Sequence, residues 1–73
     1  MYANDIEHAM KKNIDASLTS MNSLMKTKKK KDMFDAIEHA SKAKAYANVL
    51  EDDAYVRKAQ GILNKLHSMC SKM

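Results

Sequence analysis

Proline is absent from this 73-residue chain, and glycine occurs once, at Gly61. A proline costs a helix interior about 3 kcal/mol, so its absence leaves long helices unobstructed. A glycine-rich phosphate loop cannot be built from a single glycine. Cysteine is also single (Cys70), which excludes a disulfide within one chain. A lone thiol near the C-terminus suits a reducing compartment, and its plain structural role is that of a small apolar core residue. Tryptophan is missing and arginine occurs only at Arg57. No apolar run approaches the roughly 20 residues that span a bilayer. Met1-Tyr2-Ala3-Asn4-Asp5 offers neither the basic region nor the apolar stretch of a signal peptide. The expectation is a cytoplasmic chain.

What remains is short, helix-forming and basic. A chain of this length makes one domain, expected over residues 1–73, and buries only roughly 60% of its unfolded surface. Its core must therefore be thin, and small domains compensate with ideal helix packing or oligomerisation when disulfides are excluded. Seven methionines and a lysine excess over arginine of twelve to one accompany frequent asparagine and isoleucine. That bias resembles coding from an AT-rich genome, as in small phage- or plasmid-encoded open reading frames.

Apolar periodicity predicts three helices, at about 4–26, 33–50 and 54–71. Asn4 followed by Glu7 reads as a capping pair at the first start. Met10, Ile14, Ser17, Met21 and Leu24 then recur at spacings of four and three, with Ile6, Leu18 and Met25 beside them. The hydroxyl-rich run Ser17 to Ser23 competes for backbone hydrogen bonds and marks a candidate break. Asp32 is the cap candidate of the second helix. Its seam, Met33, Ala36, Ala40, Ala43, Ala47 and Leu50, holds four alanines that admit a close neighbour, while Phe34, Ile37, Tyr46 and Val49 flank it with bulk. Glu51-Asp52-Asp53 suits the start of a third helix. That helix carries Val56, Ala59, Leu63, Leu66, Cys70 and Met73 in the same rhythm, beside Tyr55, Ile62 and Met69. Gly61 interrupts it, either at a close crossing or as a tolerated surface glycine. The short acidic link makes helices two and three an antiparallel hairpin. The expected fold is an all-α three-helix bundle with shallow crossing angles, its stripes also compatible with a dimer. Ile6-Glu7-His8-Ala9-Met10-Lys11 matches Ile37-Glu38-His39-Ala40-Ser41-Lys42 at five of six positions, which either a helix duplication or convergence on helix-forming residues explains.

Charge is distributed unevenly. Residues 1–25 hold two lysines against three acids, and residues 32–73 hold six basic against six acidic side chains. The whole formal excess of +4 therefore arises from Lys26, Lys28, Lys29, Lys30 and Lys31, in an expected basic linker at 26–32. Such a field attracts phosphates or acidic protein surfaces. The plainer reading is a solvated loop whose lysines suit the end of the preceding helix.

Other candidate chemistry is sparse. His67-x-x-Cys70 is half a zinc site, but a structural zinc needs four ligands and no second pair completes it. His8 and His39 point some 200° from Ile6 and Ile37, toward water. Nucleophilic catalysis at Cys70 would need an enclosed substrate pocket that so thin a core cannot supply. The expectation is a protein without enzymatic activity, metal or cofactor. Two functions compete for the lysines. The leading one is a helical interaction module that binds and regulates or inhibits a larger protein or complex. The alternative is a sequence-independent nucleic-acid-binding protein, weakened by the near absence of arginine and of aromatics beside the tract. A membrane-surface anchor ranks third.

Overall fold

A computed structural model describes residues 3–71 and contains three helices: α1 (Ala3–Thr27), α2 (Lys30–Val49) and α3 (Asp53–Ser71). The expected all-α three-helix bundle is what forms, with α2 and α3 as an antiparallel hairpin and α1 packed against both. At about 1.5 Å per residue a 25-residue helix is about 37 Å long, and α1 accounts for the longest dimension of 38 Å in a body of 38 × 17 × 13 Å. Lys72 and Met73, the latter assigned above to the third stripe, lie outside the described residues.

Most stripe residues read from the sequence form the core, whereas Met25 (60% exposed) and Cys70 face solvent and Leu50 and Val56 are half-buried. Met10, Ile14, Ser17, Met21 and Leu24 of α1 are buried, as are Met33, Ala36, Ala40, Ala43 and Ala47 of α2. On α3 the buried set is Ala59, Ile62, Leu63 and Leu66. α2 is the central element. Its alanines have no bulk to hold neighbours apart, so the closest packing in the bundle is that of α1 and α3 against α2.

Helix α1 runs unbroken through Ser17–Ser23. Two of its hydroxyls, those of Ser17 and Ser23, find partners on α2 and so do not unwind their own helix. Ser17, fully buried, donates to the Ala36 carbonyl at 2.7 Å, and Ser23 donates to Asp32 Oδ2 at 3.0 Å. The candidate break was a docking edge. Asn13 extends that edge. Its Nδ2 donates to the Ala9 carbonyl, which orients its Oδ1 toward α2, where His39 Nδ1 donates to it at 2.9 Å. His39 is therefore half-buried, not directed at water, whereas His8 is exposed.

Three further expectations change at the margins. Gly61 is exposed with nothing within 4 Å of where a Cβ would stand, so it marks no helix crossing. Cys70, assigned to the third stripe, is exposed, while Met69 beside it packs against the core. Phe34, assigned to the flank of the core, is 62% exposed. The sequence repeat yields the same local feature twice, an i,i+4 ion pair, in Glu7–Lys11 (2.9 Å) and Glu38–Lys42 (3.3 Å).

Candidate docking site at the α1–α2 turn

The two connections are both tight turns that place a residue with a side chain in left-handed backbone. After α2, Glu51 has φ 55°, and the Asp52 amide donates to the Ala47 carbonyl while the Glu51 amide donates to Asn48. That is a Schellman ending. Asp52 then caps α3, its Oδ1 accepting from the Tyr55 amide at 3.2 Å. After α1, Lys28 has φ 56° and its amide donates to the Leu24 carbonyl at 2.7 Å, the simpler left-handed ending. Glycine or asparagine is the residue such a position favours.

The basic segment is therefore not a loop from 26 to 32. Only Lys28 and Lys29 lie between helices. Lys26 belongs to the last turn of α1, and Lys30, Lys31 and Asp32 form the first turn of α2. All five lysines are exposed. Lys29 occupies the N-cap of α2 with φ −82° and ψ 134°, and no side chain caps the free amides there. Asp32, expected as that cap, has another task. Its Oδ2 accepts from both Thr27 Oγ1 (2.8 Å) and Ser23 Oγ (3.0 Å), and Thr27 Oγ1 in turn accepts from the Lys29 amide at 3.3 Å. These bonds from Thr27 and Ser23, with Lys29 and Lys31 nearby, hold the Asp32 carboxyl below the usual carboxylate range.

Physical chemistry disfavours lysine at most of these positions. At Lys26 the charge complements the negative end of the α1 dipole. At Lys28 a side chain is forced into backbone suited to glycine. At Lys29 a capping oxygen is wanted and is missing. At Lys30 and Lys31 ammonium groups meet the positive end of the α2 dipole, where carboxylates belong. The helix dipole thus explains one lysine of the five. Asp32 is the acid tied into the turn, and it is already occupied by two hydroxyls.

On α2, Phe34 follows Lys30 by four residues and Lys31 by three. Residues at those spacings share a helix face, one turn apart. The surface of α2 at this end thus carries two lysines one helical turn from an exposed aromatic residue. Sequence reading missed Phe34 because an apolar residue flanking a seam is ordinarily core. The usable signal was its phase, well away from the alanine stripe.

The remaining candidates stay apart. His67 and Cys70 are both exposed, and among the described residues no three His, Cys, Asp or Glu side chains converge to hold a metal ion. An open groove of about 300 Å³ between α1 and α3 is lined by Lys11, Ile14, Asp15, Tyr55 and Lys58. Lys11 is engaged there by Glu7, whose hydrogen bond and charge push its ammonium above the usual range. Lys58 lies 5.5 Å from the centre of the Tyr55 ring. No helix among the described residues is long and apolar enough to cross a membrane. Comparison with family models, with curated proteins and with solved structures finds no match to this chain.

Proposed function

We propose that this chain is a non-catalytic helical interaction module that docks on an acidic surface of a larger protein and regulates or inhibits it. The lysine turn at Lys26, Lys28, Lys29, Lys30 and Lys31 makes the contact. One observation carries the reading: lysine stands at four consecutive positions where backbone geometry (Lys28), capping (Lys29) or the helix dipole (Lys30 and Lys31) favours something else. The α2–α3 turn shares the left-handed residue, at Glu51, but is capped by Asp52; the lysine turn lacks a cap as well, and local stability given up in this way is what a binding requirement produces. A merely solvated turn has no such need, since glycine, serine or aspartate would solvate as well.

Acidic protein is favoured over nucleic acid by the residue types. Sites for phosphate commonly use the rigid guanidinium fork, and the one arginine, Arg57, lies on α3 outside this turn. Single-strand binders stack successive bases on several rings. Among the described residues Phe34 is the one ring at this turn, and Tyr46 and Tyr55 are half-buried toward the other end of the molecule.

The test is affinity capture from the native host with the intact chain and with a variant in which the five lysines become glutamine. A partner with an acidic surface, retained by the intact chain and lost in moderate salt or by the variant, is the expected result. Labelled duplex and single-stranded DNA and RNA are titrated in parallel. Nucleic-acid binding that persists at moderate salt and depends on the lysines, without a captured protein, would establish the alternative.

A further inference from the structure

We infer that Phe34 is the apolar anchor of this docking surface, and that the partner segment it fits presents carboxylates beside an apolar side chain. The inference deepens the protein-partner reading above and rests on it. The chain has one phenylalanine, and its α2 core seam is built of four alanines. In a domain with so thin a core, the natural place for that ring is inside. It is instead 62% exposed, one helical turn below Lys30 and Lys31. Ile37, half-buried and packed on the core, lies three residues further along the same face.

The three groups divide the work of recognition. Ammonium groups attract carboxylates and align an acidic segment, but they remain hydrated and contribute mostly to approach and register. A ring that leaves water on contact supplies the lasting attraction, and aromatic anchors beside charged rims are what dominate interface energies. Two cations next to one ring match a segment that alternates acidic and apolar groups, not a uniformly charged one. Val49, also exposed at 67%, lies fifteen residues along α2 toward its other end and has no part in this surface.

The experiment uses the full-length isotope-labelled chain and two synthetic peptides of equal length and equal glutamate content. In one the glutamates are separated by serine; in the other, two of those serines are leucine. The leucine peptide is expected to bind about tenfold more tightly, with the largest resonance shifts at residues 30–37. Phe34→Ala should erase that advantage and leave the serine peptide's affinity within about twofold, while Phe34→Trp preserves it. An unchanged melting temperature in Phe34→Ala shows that the fold is intact. Equal affinities for the two peptides, or an advantage that survives Phe34→Ala, overturn the anchor and leave the lysine reading standing. Failure of both peptides to bind, with single-stranded DNA or vesicles containing anionic lipid bound instead, overturns both. A dimer in sedimentation that Phe34→Ala dissociates identifies a second copy as the occupant and likewise overturns the inference.

Discussion

The lysine turn leads to an unusual expectation: replacing its central residues should stabilise the fold while destroying its use. In Lys28→Gly the side chain leaves a left-handed backbone with φ 56°. Such backbone costs an L-residue roughly 1–2 kcal/mol, and the greater freedom of glycine in the unfolded chain returns part of the gain, leaving about 0.5–1 kcal/mol. In Lys29→Ser an oxygen is placed at an N-cap that has none. Caps of this kind are worth about 1 kcal/mol. The double variant should therefore gain about 1.5–2 kcal/mol, subject to imperfect additivity between adjacent sites. For a domain of this size 1 kcal/mol moves the melting temperature by about 4–8 °C, so a rise on the order of 10 °C is expected by circular dichroism. Lys26→Gln removes the same charge at a helix C-terminus, where it is favourable, and should lower the melting temperature slightly. Opposite signs at Lys26 and at Lys28–Lys29, with partner binding weakened in both, are the signature of lysines held for contact. A double variant no more stable than the parent would refute the reasoning.

Other changes test the packing and the turn. Gly61→Ala adds a Cβ in open space on an exposed helical face, and should raise stability by about 0.8–1 kcal/mol in a denaturant titration. Ala40→Leu forces a large side chain into the fully buried seam of α2 and should cost about 1–3 kcal/mol, read as a lowered denaturation midpoint at unchanged slope. Ser17→Ala removes the hydrogen bond to Ala36 from the α1–α2 contact. Because that carbonyl sits within α2 and keeps its place in the helical ladder, the loss should be about 1 kcal/mol by the same titration. The Asp32 carboxyl is held below its ordinary value of 3.8 by Thr27 and Ser23. A depressed folded pKa contributes stability that is complete above the unfolded value and is lost as pH falls through the folded one. The melting temperature of the parent should thus fall more steeply under acid, below about pH 4, than that of Asp32→Asn.

Much of this architecture was legible in one dimension. Period-3.5 stripes, the absence of proline and the acidic link before α3 were sufficient for three helices, their order and the hairpin. Ten of the eleven positions named for the first two seams are buried, Leu50 being half-buried. Apolar phase along a helix is a local property, and it survives whatever the neighbours do. The concentration of charge at Lys26–Lys31 is likewise a fact of composition, independent of folding.

The rest required knowing which helix lies against which. Hydroxyls at Ser17 and Ser23 look like helix breakers until Ala36 and Asp32 are found across the gap, because satisfaction of a polar group depends on a partner on another helix. His39 turned inward because it lies beside the alanine stripe on the side that α1 covers, whereas Phe34 lies well away from that stripe and stays exposed. The lysines changed meaning most. As a string they form a tolerated linker; in space they occupy a left-handed residue, an uncapped helix start and the wrong end of a dipole. Backbone conformation gave that tract its cost, which the α2–α3 turn, left-handed at Glu51 but capped by Asp52, shares only in part.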